Sequence, residues 1–237
     1  MAVDIVFLIL FIVFSIAHLI GEIVIYANKE KAGLIIRYIT KPLLMPLVAV
    51  YYIMVDQPFL CGFIIAGIFF GFIGDLLLML SSPEKRKISF MVGLIAYPIS
   101  HLFYITAFLF NFISRVTIYE FHYWTLGIII PIILLGVLAG IKILPKAEKM
   151  KVPMLVNIII LVIMGLAATL FFYSPELALK GSITLIVGIF VYMFSVLIYA
   201  WNNYVKQIPY ERLIKMSTYL LGLFLIVQGF IWAVVGL

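Results

Sequence analysis

Runs of about 20 consecutive apolar residues recur along the entire chain, separated by short breaks of charged or turn-forming residues. A helix of that length rises by about 30 Å, the thickness of the hydrocarbon core of a bilayer. Inside that core every backbone N–H and C=O must bond within the protein, so such runs fold as transmembrane helices. Hydrophobic residues make up 66% of the chain and charged residues 11%. The sequence therefore predicts an all-α, polytopic membrane protein, and we expect residues 1–237 to form a single transmembrane domain.

The breaks divide the chain into eight predicted spans. We expect them near residues 3–26, 33–54, 59–80, 89–111, 123–144, 152–173, 180–204 and 212–236. The first run begins almost at Met1 without a basic leader, which favours a first transmembrane helix over a cleaved signal peptide. The single cysteine, Cys61, excludes an intrachain disulfide and a cysteine metal cluster.

Basic residues alternate between successive loops. The odd-numbered loops and their edges carry most of them: Lys29, Lys31, Lys85, Arg86, Lys87, Lys146, Lys149, Lys151, Lys206, Arg212 and Lys215. The even-numbered loops carry at most one, Arg115 or Lys180. The positive-inside rule then predicts that odd-numbered loops are cytoplasmic and that both termini face the exterior or a lumen. We interpret the net charge of +6 as a topology signal and a contact with anionic lipids, and expect no nucleic-acid partner.

Polar residues inside the predicted spans concentrate in the half that faces the cytoplasm. This set is Glu22, Arg37, Lys41, Asp75, Asn157, Asn202, Asn203 and Tyr219, while His18 and His101 are expected nearer the midplane. A charged side chain in hydrocarbon costs several kcal/mol unless it is paired or hydrated. The clustering therefore predicts one polar cavity that opens toward the cytoplasm.

The strongest candidate for chemistry in that cavity is Asp75, in the apolar stretch "GFIGDLLLML". Either a protonated acid or a lysine-paired carboxylate would suit acid–base chemistry there, and the alternative is a structural tie between helices. Lys41, in "TKPLLMP", precedes Pro42, which frees a backbone carbonyl and favours a cavity or an anion site. Arg37 is the weaker candidate, because an arginine one turn inside a boundary can extend to the lipid headgroups.

Two further candidates leave function and structure equally open. Glu22 and His18 stand four residues apart on one helix face, which fits a functional pair or a buried hydrogen bond. His101 follows Pro98 and precedes Tyr104, so it can carry a proton or bond the backbone at a helix kink. No ligand motif accompanies these residues, and we expect neither a metal nor a cofactor.

Several longer stretches resemble a known family. "RYITKPLLMPLVAVYY", "FGFIGDLLLML", "FMVGLIAYPISHLFYITAF" and "STYLLGLFLIVQG" are similar, in that order, to the YhhN-like family of eight-helix membrane proteins, which includes the lysoplasmalogenases. The resemblance implies hydrolysis of the vinyl ether of a lysoplasmalogen. The products would be a fatty aldehyde and a glycerophospho-headgroup.

The chain departs from the family pattern at two positions. The family has a second aspartate after a serine on the seventh helix, where "IFVYMFSVLIYAWNNY" keeps Ser195, Ala200 and Asn202 but has Val196 in place of the acid. Asn157 stands where the family pattern implies a tyrosine. These departures call the reaction into question without affecting the expected fold.

The third and seventh spans also resemble each other. "IFFGFIGDLLLML" and "IFVYMFSVLIYAW" align without gaps and pair Asp75 with Val196. Spans four apart cross in the same direction, so this similarity predicts a parallel repeat of two four-helix halves. The two acids of the family would then face each other across one cavity, and Glu22 is a candidate for the carboxylate missing here.

Two function classes follow. The first is a lysoplasmalogenase-like hydrolase in which Asp75 delivers the proton and Glu22 or His101 assists. Its phosphate would lie at Lys41 and Arg37, and we expect further substrate contacts at Ser195, Asn202 and Tyr104. The alternative is a non-catalytic lipid-binding or lipid-moving membrane protein, and a small-molecule transporter is more distant. Both main hypotheses expect a lysophospholipid or another bound lipid as partner.

Overall fold

The structure, a computed structural model, describes residues 2–27, 29–55, 61–80, 86–114, 122–174 and 176–236. Within these ranges the chain forms eight long α-helices and no strand. Their bounds are Ala2–Tyr26 (α1), Glu30–Met54 (α2), Gly62–Leu80 (α3), Arg86–Ile113 (α4), Leu126–Ile143 (α5), Lys151–Thr169 (α6), Leu179–Tyr204 (α7) and Glu211–Val235 (α8). All eight are long and apolar enough to cross a membrane. The all-α, multi-pass prediction is confirmed.

Helix boundaries agree with the predicted spans to within a few residues. Short 3-10 turns extend the start of α5 and the end of α6, at Tyr123–Thr125 and Leu170–Tyr173. Pro42 lies inside α2, which continues through it to Met54. Of the basic loop residues, Lys85, Arg115 and the side chains of Arg86, Lys87 and Lys149 lie outside the described part of the chain.

Consecutive helices pack as hairpins, α1 with α2, α3 with α4, α5 with α6 and α7 with α8. Glycines let their backbones approach closely. A Cβ atom at Gly181 of α7 would lie 2.0 Å from the backbone nitrogen of Ala233, and one at Gly229 of α8 would lie 2.3 Å from that of Leu185. Small residues favour helix association in lipid, where apolar side chains gain little by leaving the bilayer. The close contact between α7 and α8 therefore depends on glycines, which have no side chain to keep the two backbones apart.

In the α3–α4 hairpin, a glycine likewise allows a close contact, here with the ring of a tyrosine. A Cβ atom at Gly74 would lie 3.1 Å from the ring of Tyr97. Because glycine leaves that space open, the Tyr97 ring packs against α3 at Gly74, the residue before Asp75.

The eight helices differ in how much of their surface is buried, and aromatic side chains fill one end of the bundle. The most apolar stretch of α8 is 67% buried, against 22% for α1 and α5, so α8 is central and those two are peripheral. Phe230 near the end of α8 packs against Phe108 and Phe171, with ring centroids 6.2 and 6.0 Å apart. All three lie toward the even-numbered loops, and aromatic packing fills that end of the bundle.

Candidate functional site

Asp75 accepts interactions from three side chains on three other helices. Lys41 Nζ lies 3.1 Å from Oδ1, the Tyr97 hydroxyl donates to Oδ1 at 3.1 Å, and the Tyr219 hydroxyl donates to Oδ2 at 2.9 Å. Asp75 and Lys41 are both buried. All three partners are donors to the carboxyl oxygens. Of the two forms expected from sequence, the structure has the lysine-paired carboxylate.

One face of Asp75 borders a cavity between the helices. This Asp75 cavity has about 710 Å³ of empty volume, part of it open to the surroundings. Five helices contribute its lining: Asp75, Leu78, Tyr97, His101, Met154, Asn157, Tyr192, Ser195, Val196, Tyr199, Ala200, Lys215, Met216 and Tyr219. Lys41 is not among them: it contacts Asp75 from α2, which contributes no residue to the lining.

The Asp75 cavity lies toward the odd-numbered loops. Asp75 is near the end of α3, Asn157 near the start of α6, Ala200 near the end of α7 and Lys215 near the start of α8. The basic loops between α5 and α6 and between α7 and α8 are therefore at this end of the bundle. That placement agrees with the predicted depth of the polar residues, whereas the direction of the bundle across the membrane stays a prediction.

Lys215 is a cation of the Asp75 cavity, although its sequence position at the edge of a basic loop indicated only a topology signal. Its Nζ lies 4.8 Å from the centroid of the Tyr199 ring. No carboxylate of the described residues lies within 4.0 Å of it. The signal was available in the sequence, since Lys215 and Tyr219 stand four apart and share one face of α8.

His101 is part of a second hydrogen-bond network in the Asp75 cavity. Its Nε2 lies 3.0 Å from the Tyr192 hydroxyl, and its Nδ1 is buried with no hydrogen-bond partner among the described residues. The Ser195 hydroxyl donates to the backbone carbonyl of Tyr192 at 2.7 Å. The Tyr192 and Tyr219 rings lie 5.5 Å apart, so this network adjoins the donors of Asp75.

Glu22 and Arg37 form a separate pair in the α1–α2 hairpin. Arg37 Nε lies 3.4 Å from Glu22 Oε1, and His18 Nε2 lies 3.9 Å from the same oxygen. His18 Nδ1 lies 2.9 Å from the Thr40 hydroxyl. None of these side chains lines the Asp75 cavity. Glu22 therefore does not supply the second carboxylate of the cavity in this structure, and Arg37 already has an acidic partner.

Two other candidates from the sequence lie away from the Asp75 cavity. Asn202 Oδ1 accepts a hydrogen bond from the backbone N–H of Ile208 at 2.8 Å, which ties the α7–α8 loop to the end of α7. Tyr104 is 2% exposed and packs over Gly67, where its ring would be 2.9 Å from an added Cβ. Both positions have a structural explanation that does not involve a ligand.

Comparison with known families places this geometry in context. The sequence model of the YhhN family matches residues 36–230. The chain belongs to the YhhN family. The matched segment includes Lys41, Asp75 and Lys215, whereas α1 and its Glu22 precede it. Among curated proteins and solved structures, none was found to match the chain.

Both departures from the expected YhhN pattern line the Asp75 cavity. Val196 lines it together with Asp75 but contributes no charge. Asn157 is 7% exposed, and its Oδ1 has no hydrogen-bond partner within the described ranges. No group of three or more histidine, cysteine, aspartate or glutamate side chains in those ranges is arranged to hold a metal ion. Asp75 is the single carboxylate in the described lining.

Proposed function

We propose that this YhhN-family protein hydrolyses the vinyl ether of a lysoplasmalogen, with Asp75 and Lys41 as its proton-transfer pair. The observation that carries the proposal is the buried Lys41–Asp75 contact at the wall of a cavity that Lys215 also lines. A buried lysine–carboxylate pair holds one proton between two groups of opposite charge, which suits a site that gives and regains a proton.

The first step transfers that proton to the substrate. Lys41 passes it to Asp75, and Asp75 delivers it to the β-carbon of the vinyl ether. The carbon–carbon double bond supplies the electron pair, and the ether oxygen and its carbon become an oxocarbenium ion. The Asp75 carboxylate that remains stabilises this cation, while the hydroxyls of Tyr97 and Tyr219 hold the carboxylate in place.

Water completes the reaction. It adds to the oxocarbenium carbon and returns one proton to the Lys41–Asp75 pair. The resulting hemiacetal breaks its bond to the glycerol oxygen, which takes the proton of the hemiacetal hydroxyl. The products are a fatty aldehyde and the glycerophospho-headgroup, and the pair regains its starting charge.

Lys215 is the residue that we assign to the lipid phosphate. Lys41 and Arg37, the candidates from sequence, are each paired with a carboxylate. Lys215 lines the cavity and has an aromatic neighbour but no acidic one within 4.0 Å among the described residues. An ammonium group in that situation binds a phosphate without first losing another ion pair.

One observation favours a second function. Val196 lines the cavity at the position where the family pattern has an acid, and Glu22 does not replace it there. A cavity with one carboxylate would still accept a lysolipid but has less charge to stabilise a cation. The second candidate is therefore a lipid-binding or lipid-moving protein that retains the cavity.

Aldehyde release separates the two candidates. The purified protein is incubated with a lysoplasmalogen in detergent, and aldehyde and co-purified lipids are measured by mass spectrometry. If the protein is a hydrolase, aldehyde release should be lost in the Asp75→Asn variant and retained in the control variant Glu176→Gln, whose side chain is exposed. Bound lysolipid without aldehyde in the wild-type protein would overturn the hydrolase and favour the lipid-binding protein.

A further inference from the structure

A second cavity adjoins the Asp75 cavity between α5, α6 and α7. It has about 360 Å³ of empty volume, part of it open to the surroundings. Its lining is Leu135, Gly136, Ala139, Ile143, Met154, Asn157, Ile158, Leu161, Val162, Met193, Val196, Leu197 and Ala200. Asn157 is the one side chain in this set with a hydrogen-bonding amide, and all others are apolar. We call it the apolar cavity.

The two cavities share one wall. Met154, Asn157, Val196 and Ala200 line both of them. On one side of this wall lie Asp75 and Lys215, and on the other only hydrocarbon side chains. A ligand that occupies both spaces must therefore have a charged end and an apolar end joined by a short polar segment.

The apolar lining of this cavity suits hydrocarbon better than water. Protein interiors are close-packed, with few voids larger than a water molecule. An empty apolar space destabilises a protein in proportion to its volume, and water gains no hydrogen bonds there. Hydrocarbon fills such a space without loss, because its atoms restore the missing dispersion contacts.

We propose that the apolar cavity binds the hydrocarbon chain of a lysolipid whose phosphate lies at Lys215. The lipid class rests on the proposed function, whereas the place of the chain rests on the two adjoining cavities. The short wall side chains, Val196 and Ala200, leave room for the chain to pass, and the flexible Met154 adapts to it. The reacting end of the chain then lies at the wall, on the side of Asp75.

Two substitutions change the apolar cavity in opposite directions. Ala139→Leu adds bulk to it and Leu197→Ala removes bulk, and neither residue lines the Asp75 cavity. Leu134→Ala is a matched control, because Leu134 is 52% exposed and lines neither cavity. The probes are 1-alkyl lysophosphatidylethanolamines of graded chain length, which have no vinyl ether and report binding alone.

Native mass spectrometry of competing probes measures the preferred chain length. We expect Ala139→Leu to shift the preference several-fold toward shorter chains and Leu197→Ala toward longer ones, with Leu134→Ala unchanged. A misfolded variant would lose all chains equally. If both variants keep the wild-type preference, the proposal is overturned, and hydrolysis of lysoplasmalogen in the same preparation would still test the proposed function separately.

Photo-crosslinking to the wild-type protein locates the chain directly. The same lysolipid carries a diazirine at the last carbon of its chain. We expect labelling of cavity-facing residues such as Leu135 and Leu161, displaced by unlabelled lysolipid. Labelling confined to outward-facing residues such as Leu134 would show that the chain stays in the bilayer or detergent, and would overturn the proposal even where both variants fail to fold.

Discussion

Lys41 Nζ lies 3.1 Å from Asp75 Oδ1, with the two side chains 7% and 9% exposed. The contact joins α2 to α3, and the two charges depend on each other because both side chains are buried. In this structure one ion pair both ties two helices together and places a carboxylate at the cavity wall.

Removing one partner of this pair should destabilise the protein more than removing both. We expect Lys41→Met or Asp75→Leu alone to lower the free energy of unfolding by about 3–5 kcal/mol, because a buried charge is left uncompensated. The double variant should lose less than either single one. Thermal unfolding in one detergent measures all three, and strictly additive losses would show that the two charges do not interact.

Asp75→Asn should separate catalysis from binding. The amide keeps the shape of the side chain and one acceptor oxygen, enough for one of the two tyrosine hydroxyls, but it can neither release nor regain the proton. We expect aldehyde release to fall by roughly 10²-fold or more while bound lysolipid is retained. Parallel loss of lipid binding and of the folded peak in size-exclusion chromatography would instead favour a purely structural tie.

Lys215→Gln should weaken binding of lipids that carry a phosphate. A charge-assisted hydrogen bond of about 1.5–3 kcal/mol corresponds to roughly a 10- to 100-fold loss of affinity. A 1-alkyl glycerol without phosphate should bind equally to wild type and variant. Lys206→Gln is the control, because Lys206 is exposed in the α7–α8 loop. Equal effects of both variants would point to a general surface-charge effect.

Asn157→Leu tests the unpaired amide oxygen at the wall between the cavities. Replacing a buried acceptor that lacks a partner should raise the unfolding temperature of the lipid-free protein. The same change should weaken binding of a lysolipid with a free glycerol hydroxyl, because that hydroxyl can donate to Asn157. Its methyl ether, which cannot donate, should be unaffected, and an equal loss for both lipids would contradict this role.

Val196→Asp should increase hydrolysis. The variant adds the acid that the family resemblance implies at this position, and a second carboxylate would stabilise the oxocarbenium ion by an amount worth roughly 10²-fold in rate. Lys215 lines the same cavity and can compensate the added charge. Aldehyde release is compared in one detergent for both proteins. A folded variant that binds lysolipid and stays inert would favour the lipid-binding function.

Cysteine labelling in intact cells or vesicles tests the predicted orientation, in which the odd-numbered loops face the cytoplasm. In a Cys61→Ser background, single cysteines at Lys146 and Lys206 should be protected from an impermeant reagent outside, and one at Glu176 should react. These positions are exposed and lie in loops at opposite ends of the helices. The reverse pattern would place the Asp75 cavity at the external face.

The amino-acid sequence alone determined the number of helices and their bounds to within a few residues. A helix that crosses the hydrocarbon core requires an uninterrupted apolar run, and the length of that run can be read directly from the sequence. Asp75 and Lys41 were also predictable as a buried polar cluster, since each is costly alone in hydrocarbon. The depth of each polar residue in the bilayer could thus be inferred from its position along the sequence.

Only the tertiary structure decided which polar residues at that depth meet. Arg37 and Lys41 stand four apart on α2, yet one pairs with Glu22 of α1 and the other with Asp75 of α3. The angle at which each helix faces its neighbours depends on packing, and in this chain on glycines that set close contacts between helix backbones. The same register brought Lys215 to the cavity wall and left Glu22 outside, because sequence position gives the depth of a side chain but not the direction in which it points.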